Sequence, residues 1–298
     1  MIEVKNVTKL YAGKAVVDGL SFSIGKGETL VILGTSGSGK TTMLKMINRL
    51  IEPSSGQILI NGVDNSNVKL EELRRQIGYV IQSIGLFPHY TIEQNIGLIP
   101  TLLGWEKDKI QKRVLELIKL LGLDPEMMPR KPENLSGGQQ QRVGIARALA
   151  ADPPIVLLDE PFGALDPITR HQIQLEFKNL EAILNTTMVL VTHDVVEAIT
   201  LGDRICLMDE GRIQQIGTAK ELIFRPANDF VKHFFNANSL QLALSVLSKK
   251  DITPYLPEVA SGISSDDNTM VLSLMEEHED MSEHILHAFY QASRNMKK

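Results

Sequence analysis

The sequence predicts an α/β fold in which a largely parallel β-sheet carries helices on both faces. Three observations lead to this prediction. An apolar strand at 29–33 runs into a glycine-rich loop and then into a helix at 40–51. From residue 155 onward, apolar strands and amphipathic helices alternate, which is typical of parallel sheets. Between these two parts, residues 92–151 are mostly helical and therefore indicate a helical subdomain inserted into the sheet.

The remaining elements follow from hydrophobic periodicity and from turn residues. The expected strands are 2–8, 15–24, 29–33, 57–60, 77–81, 155–158, 187–192 and 204–208. The expected helices are 40–51, a block at 92–151 with breaks near 104 and between 122 and 135, 167–184 and 194–201. Beyond about residue 236 the pattern changes, so residues 1–235 are expected to form the main domain and 236–298 an accessory tail.

Composition limits the class of protein. The chain has 298 residues, 43% of them hydrophobic, which is enough for one large domain with an appendage. Its apolar runs are too short to span a membrane, and the N-terminus lacks the apolar stretch of a signal peptide. The single cysteine, Cys206, excludes an internal disulfide. A net charge of −5 without a long basic run argues against a nucleic-acid partner.

A phosphate-binding loop is predicted at residues 34–41, GTSGSGKT. The stretch matches G-x-x-x-x-G-K-[ST] between an apolar strand and a helix, a context that an ordinary glycine/serine turn lacks. Glycines let backbone N–H groups approach phosphate, Lys40 reaches the β- and γ-phosphates of a nucleotide, and the Thr41 hydroxyl binds Mg²⁺. The predicted nucleotide-binding residues are Gly34, Thr35, Ser36, Gly37, Ser38, Gly39, Lys40, Thr41 and Thr42.

Two carboxylates end the apolar strand in IVLLDE. Because ligands bind beyond the carboxyl ends of parallel strands, we expect Asp159 in the Mg²⁺ shell and Glu160 as the general base for an attacking water. His193 ends the next strand, VLVTHD, at the same edge and is expected to meet the γ-phosphate and that water. The alternatives are a solvated acidic pair at a helix start and a histidine with a structural role only.

A second phosphate site is predicted where a helix begins in ENLSGGQQQR. Gly137 and Gly138 occupy its first turn, where glycine costs roughly 1 kcal/mol relative to alanine. With Ser136 as N-cap, this helix start offers bare N–H groups and a hydroxyl to an anion. One nucleotide loop and two phosphate elements in one chain predict a head-to-tail dimer, in which each subunit completes its partner's site. The alternative is a helix start with incidental glycines.

Taken in order, GTSGSGKT, LSGGQQQR, IVLLDEP, GALD and a histidine after the next strand resemble the nucleotide-binding subunit of ATP-binding-cassette (ABC) transporters. The resemblance covers about residues 1–235. It implies a P-loop NTPase fold with a mixed-sheet core, an N-terminal antiparallel β subdomain and an α-helical subdomain inserted at about 86–152. It also implies a Mg²⁺-dependent ATPase that sandwiches ATP between two copies and drives a separate membrane permease. Such a subunit lies at the cytoplasmic face of the cell membrane.

The resemblance assigns further residues. Tyr11 is similar to the aromatic residue that stacks on adenine, with a core or turn tyrosine as the alternative. Gln82 resembles the glutamine that touches Mg²⁺ and senses the membrane partner. Asp166 resembles the aspartate that signals across the dimer, with a plain helix cap before Pro167 as the alternative. The residues that resemble those gripping the opposite nucleotide are Ser136, Gly138 and Gln139.

Three stretches point to one branch of the family. QSIGLFPHYTIEQNI, ALAADPPIVLLDEPFGALDPITR and FRPANDFVKHFF resemble the ATPase subunits of quaternary-amine importers, which take up glycine betaine, choline or carnitine. A solute-binding protein and the permease bind the cargo, so an importer for another solute such as an amino acid stays open. Residues 240–257 resemble the start of one CBS unit, but the tail is too short for the pair that many such ATPases carry.

Two other functions compete with transport. Non-transport ABC ATPases of DNA repair or translation usually insert long coiled coils or fuse two cassettes, and this sequence does neither; its acidic balance also argues against nucleic acid. A non-enzymatic nucleotide sensor is disfavoured by the presence of both Glu160 and His193. An ATP-hydrolysing importer subunit is therefore the expected function.

Overall fold

The computed structural model describes residues 1–83, 85–184, 186–236, 239–257, 263, 265–278 and 281–296, with the backbone alone for 179–184 and 239. Ile84, in one of the importer-like stretches, and parts of the predicted tail lie outside these residues. The described strands are β1 Ile2–Tyr11, β2 Lys14–Ile24, β3 Thr29–Gly34, β4 Ser55–Ile60, β5 Val63–Asp64, β6 Ile77–Val80, β7 Ile155–Asp159, β8 Thr187–Thr192, β9 Arg204–Asp209 and β10 Arg212–Gly217. The described α-helices are α1 Lys40–Ile47, α2 Leu70–Arg75, α3 Ile92–Leu102, α4 Lys107–Leu120, α5 Gly137–Leu149, α6 Pro167–Leu184, α7 Val195–Leu201, α8 Ala219–Phe224, α9 Asp229–Phe234, α10 Ser239–Val246, α11 Lys249–Ile252, α12 Val271–Glu277 and α13 Ser282–Met296.

The strands form two sheets. A four-stranded sheet has the order β2-β1-β4-β5 and is antiparallel, as expected of an N-terminal β subdomain. A six-stranded sheet has the order β10-β9-β3-β8-β7-β6, and its strands β3, β8, β7 and β6 pair in parallel. Leu33 is paired with Thr192, and Val191 with Asp159, so these strands end at one edge of the sheet. The predicted α/β fold with a parallel sheet is confirmed.

Apolar sequence explains why the central strands are covered on both faces. Every residue of β3 (TLVILG), β7 (IVLLD) and β8 (TMVLVT) is buried. Such uninterrupted apolar runs are typical of parallel strands between two layers of helices. Helices α3, α4 and α5 pack on one another and form the expected helical block, with breaks where the sequence predicts them.

Some elements differ from the expectation. Helix α1 ends at Ile47 rather than at residue 51, because Arg49 has a φ of 48°, a left-handed conformation that does not continue an α-helix. Periodicity does not predict α2, β5 or β10, since such short or half-exposed elements carry too few residues to show a period.

The chain divides into two compact units. The first comprises Met1–Asp203 and Met208–Ile213, and the second comprises Arg204–Leu207 and Gln214–Lys298. The sequence-based boundary near residue 235 stays a prediction; in this division, α8 and α9 fall in the second unit together with the tail. The reason is apolar packing: Phe224, Phe235 and Phe289 line one cavity within this unit.

The second unit is helical beyond β10. Helix α13 buries Ile285, Ala288, Phe289 and Ala292 and packs on α11 and α12. The likeness of residues 240–257, here α10, α11 and a 3₁₀ turn, to part of a CBS unit stays a prediction. Cys206 in β9 is fully buried, and burial raises the pKa of its thiol to about 12. Within the described part of the chain, no helix has both the length and the apolar character needed to cross a bilayer.

Candidate nucleotide-binding site

The loop between β3 and α1 is fixed by close approach of other backbone. A Cβ atom on Gly34 would collide with the carbonyl oxygen of Met208, and one on Gly39 with that of Val16. Gly39 also has a φ of 95°, in the region that favours glycine. These two glycines are therefore required by the shape of the loop itself, before any ligand is considered.

The inside of the loop carries polar groups suited to an anion. Lys40 Nζ donates to the carbonyl oxygens of Gly34 and Thr35, at 3.0 and 2.7 Å. Burial lowers the pKa of Lys40, whereas the charges of Glu160 and Asp159 act to raise it. The Ser38 hydroxyl is buried without a hydrogen-bond partner among the described residues. A phosphate group would supply the acceptor that this hydroxyl lacks.

Oxygen ligands for a divalent cation meet at the end of β7. Thr41 Oγ1 donates to Asp159 Oδ1 at 2.8 Å. Asp159 is 4% exposed, and burial raises the pKa of its carboxyl, although the hydrogen bond from Thr41 acts in the opposite direction. A hydroxyl and a carboxylate are the hard oxygen donors that Mg²⁺ prefers alongside nucleotide phosphates. The residues present therefore fit the predicted Mg²⁺ site.

Glu160 brings the predicted catalytic residues together. Its Oε2 accepts a hydrogen bond from Gln82 Nε2 at 3.1 Å and lies 3.5 Å from His193 Nδ1. Its backbone has a φ of 47°, a left-handed conformation that is strained for a side chain of this size. The backbone N–H of Glu160 donates to Val191 O at 2.9 Å, which helps to hold that conformation.

A buried acid supports the segment that carries His193. Glu197 is 3% exposed, and its Oε2 accepts a hydrogen bond from Thr192 Oγ1 at 3.0 Å. Its Oε1 is buried and has no hydrogen-bond partner among the residues that the structure describes. Burial raises the pKa of Glu197 to about 8, with the neighbouring charges of Asp194 and Glu160 adding to the rise and Thr192 and Arg170 opposing it. Glu197 is therefore largely protonated at neutral pH.

Arg170 joins the His193 segment to the loop that contains Asp166. Arg170 Nη1 lies 3.5 Å from Asp194 Oδ2, and Nη2 donates to Leu165 O at 2.9 Å. Asp166 itself accepts from the backbone N–H of Thr169 at 3.1 Å, and this hydrogen bond holds the pKa of Asp166 below its usual value. The helix-cap role is thus present in the structure, and signalling by Asp166 across a dimer stays a prediction.

The structure brings some of the predicted residues into one cavity of about 300 Å³. Its lining consists of Val16, Ser36, Gly37, Ser38, Gly39, Lys40, Thr41, Thr42, Gln82 and Glu160. Thr35 does not line the cavity, and its hydroxyl donates to Asp209 Oδ1 at 2.9 Å. Tyr11 ends β1, is 45% exposed and does not line the cavity. Its stacking role stays a prediction.

The helix start at residues 136–139 does not line this cavity. Ser136 and Gln139 form a capping box, in which each side chain accepts a hydrogen bond from the other's backbone N–H. A Cβ on Gly137 would meet no atom within 4 Å, whereas one on Gly138 would lie 2.9 Å from Thr169 Cγ2. Gly138 therefore has a packing reason to be glycine, which the sequence-based argument from anion access does not include.

Sequence reasoning missed three residues of the site. Val16 lines the cavity, but an isolated valine in a strand carries no signal of ligand contact. Glu197 and Arg170 stand on exposed-looking helical stretches, HDVVEA and DPITRH, and only the fold reveals that they contact the segment that carries His193. Their positions three to four residues after Asp194 and Asp166 are the only clue in the sequence.

Comparison with known proteins decides the family. The family model described as "ABC transporter" matches residues 17–163. The glycine betaine uptake system ATP-binding protein YehX of Escherichia coli is 48% identical over 86% of this chain and 82% of its own length. This chain belongs to the ABC transporter family. The cassette motifs quoted from the sequence are thus those of a true member.

Other relatives carry similar names. The glycine betaine/carnitine/choline transport ATP-binding protein OpuCA of Bacillus subtilis is 54% identical over 80% of this chain and 63% of its own length. The osmoprotectant import ATP-binding protein OsmV of Salmonella typhimurium is 46% identical over 94% of this chain and 74% of its own length. This ABC family member therefore spans somewhat less than two thirds of some of the curated relatives that it matches.

A solved structure agrees on the fold of the cassette. The ATP-binding cassette MJ0796, described as a dimer in a post-hydrolysis state bound to ADP and Pi, is 36% identical with a TM-score of 0.66. The match covers 73% of this chain and 98% of that one. The predicted P-loop NTPase fold of the ABC type is thereby confirmed, and ATP is the nucleotide that the family binds.

Proposed function

We propose that this chain is the ATP-hydrolysing subunit of a membrane importer for a small quaternary-amine osmoprotectant. The observation that carries the hydrolytic part is the position of Glu160, whose carboxylate meets Gln82 and His193 beside the phosphate loop. In the proposed reaction, Glu160 accepts a proton from a water molecule as that water attacks the γ-phosphorus, and ADP leaves. His193 holds the γ-phosphate and water in line.

The remaining residues of the edge bind and orient the nucleotide. Backbone N–H groups of the loop and Lys40 take the β- and γ-phosphates, while the start of α1 faces the anion. Thr41 and Asp159, with Gln82, are the proposed Mg²⁺ ligands. Bound Mg²⁺ would neutralise phosphate charge during transfer.

The proposed working form is a head-to-tail dimer of two copies. Each copy would offer residues 136–139 to the nucleotide held by the phosphate loop of the other. The open surroundings of Gly137 and the separation of this helix start from the cavity in one chain support the proposal. So does the description of a similar cassette as a dimer.

The proposed permease contact is a groove of about 440 Å³ in the first unit, next to Gly85. Phe87 is 46% and Leu102 69% exposed there, and the guanidinium of Arg147 lies 5.7 Å from the centre of the Phe87 ring. Arg74 and Arg75 also line the groove. An apolar anchor flanked by cations fits a short permease helix that carries carbonyl or carboxylate groups. The chain would then act at the cytoplasmic face of the cell membrane.

The proposed cargo rests on the relatives, whose names give glycine betaine, carnitine and choline. A solute-binding protein would deliver the cargo to the permease, so this chain meets neither the cargo nor, directly, that protein. The alternative cargo is another small solute such as an amino acid. A non-transport role is the alternative function, and the likeness of the relatives' names to one another argues against it.

Phosphate release from MgATP tests the hydrolytic proposal. Glu160→Gln should lower turnover by about 10² to 10⁴ while ATP binding persists, because the water loses its base. Glu71→Gln, on the exposed start of α2, is the matched control and should keep wild-type turnover. Turnover of Glu160→Gln near that of wild type would exclude the proposed role of Glu160.

The transport proposal needs the permease. The chain should co-purify with a co-expressed permease, and Leu102→Glu should abolish that capture without lowering ATP binding. In vesicles that also contain the solute-binding protein, glycine betaine, choline or carnitine should stimulate ATP hydrolysis. Stimulation by an amino acid instead would replace the proposed cargo, and failure to bind any permease would favour the non-transport alternative.

A further inference from the structure

Helix α13 has an outward face that no other described element of the second unit covers. Four of its residues are buried on the inner side, as given above. The outer side bears a shallow groove of about 590 Å³, and every residue that lines it belongs to α13 itself: Glu283, Leu286, His287, Tyr290, Gln291 and Arg294. These six residues are called the outward face of α13 below.

The chemistry of the outward face is ordered along the helix. Its members are spaced by three and four residues, so they form one stripe. The middle of the stripe is mixed: Leu286 and Tyr290, which is 48% exposed, alternate with His287 and Gln291, whose side-chain nitrogens lie within hydrogen-bond distance at 3.1 Å. Glu283 and Arg294 stand at opposite ends, about 16 Å apart along the axis. Neither makes an ion pair within the described residues.

The charges at the two ends of the stripe are complementary to those of a second α13 that runs in the opposite direction. When a second α13 is laid antiparallel over the first, Glu283 falls opposite Arg294, Leu286 opposite Gln291, and His287 opposite Tyr290, each pair occurring twice. One two-fold axis between residues 288 and 289 generates all of these pairs. We propose that the outward face of α13 binds the same face of a second copy of this chain, in this antiparallel register.

Charge favours this partner over others. A parallel pairing would place Glu283 against Glu283 and Arg294 against Arg294. An anionic lipid surface would require a stripe of one positive sign, whereas this stripe has an acid at one end. The contact is small, because a single helix face buries far less than the roughly 1,200 Å² of a stable interface. It is therefore weak between free chains, and a trapping method is needed to observe it.

Disulfide trapping tests the register in the full chain. In Leu286→Cys/Gln291→Cys, the new thiols oppose each other across the proposed axis but are too far apart on one helix to join. The natural thiol, Cys206, is buried and stays out of the reaction. Mild oxidation should give a cross-linked dimer on a non-reducing gel, whereas Gln291→Cys alone should give little. Equal cross-linking of that single variant would indicate a parallel contact, and no cross-linking of the double variant would exclude self-association through this face; both overturn the proposal.

Charge reversal tests the end contacts. Added to the two-cysteine variant, Glu283→Arg should slow cross-linking about tenfold at low salt, and Arg294→Glu should do the same. The two reversals together should restore the original rate, because the complementary pairs return with opposite sign. Glu276→Arg, an exposed change of equal charge on α12, is the control and should leave the rate unchanged. Slowing without restoration, or equal slowing by the control, would refute the register.

Discussion

The loop at residues 34–41 and the helix start at residues 136–139 are both proposed to bind phosphate, yet the chain supports them differently. Backbone oxygens of Met208 and Val16 close around the loop, and its lysine is tied to two loop carbonyls. The helix start has a capping box and an open side at Gly137. The first element is completed by its own chain. The second presents an unobstructed surface, so its binding energy is expected to appear only when a second molecule arrives.

The largest expected effect comes from a substitution in the loop at residues 34–41, which its own chain completes. Lys40→Ala removes the cation that faces the phosphates, so ATP affinity should fall about 1,000-fold, or about 4 kcal/mol. Titration with a fluorescent ATP analogue measures this. Lys69→Ala, on an exposed lysine, is the control. If Lys40→Ala binds ATP as wild type does, the loop is not the main phosphate site.

A pH-dependent effect on the free energy of unfolding is expected from Glu197, the buried acid next to the segment that carries His193. The folded chain keeps the Glu197 proton up to a pKa of about 8, whereas the unfolded chain releases it near 4.5. The folded state thus binds more protons between these values, and the free energy of unfolding should fall as pH rises from 4.5 to about 8, by several kcal/mol in all. Glu197→Gln cannot ionise and should lack this loss. Urea unfolding of both proteins across this pH range gives the difference, and identical pH curves would contradict a neutral buried Glu197.

A smaller effect, on ATP-dependent dimerisation, is expected at the helix start at residues 136–139. In a Glu160→Gln background that holds ATP, Gly137→Asp places a negative charge where the partner's phosphate is proposed, and should weaken the ATP-dependent dimer by about 2 kcal/mol. Light scattering with and without ATP measures it. Binding of the ATP analogue to the monomer should be unchanged, since the loop is untouched.

The position of the substitution matters for that test. Gly138→Asp would also collide with Thr169, so a lost dimer there would not separate charge from packing. Gly137→Asn is the matched control, with nearly the same size and no charge. If Gly137→Asp still dimerises with ATP, phosphate does not approach this helix start.

The smallest expected effect is one of stability. Gly137→Ala should stabilise the fold by up to about 0.5 kcal/mol, because alanine favours a helix and nothing obstructs its methyl group. Gly138→Ala should gain nothing or lose stability, since its Cβ would press on Thr169. Thermal unfolding compares the two. Equal gains from both would show that Gly138, like Gly137, is not held by packing.

Sequence predicts best where one motif fixes both conformation and chemistry. The loop at 34–41 could be placed because an apolar strand and a helix flank it, and the carboxyl-edge residues Asp159, Glu160 and His193 followed from parallel strands. The buried acid that contacts this edge, Glu197, could not be predicted. Glu197 has the sequence neighbours of a solvated acid, and only its burial in the folded chain raises its pKa far enough to keep it neutral.

The sequence-based argument was also incomplete where packing and ligand access require the same residue. Gly138 faces Thr169 of α6, a contact between residues 31 positions apart that no local pattern reveals. Phe224 and Phe235 likewise share a cavity with Phe289, a contact that no local pattern predicts. Long-range packing is the part of the fold that periodicity does not contain.

The left-handed backbone of Glu160 has a consequence for how this sequence changes over generations. At a φ of 47°, glycine or asparagine would relax the chain, so selection for stability alone would replace the glutamate. Glu210 has a similar φ of 44°, so what distinguishes Glu160 is the angle together with its contacts to Gln82 and His193. In a lineage released from the need to hydrolyse ATP, we expect this position to drift early, ahead of the buried strand residues that precede it. At Glu160, the angle and the proposed catalytic role together mark a site where function and stability favour different residues.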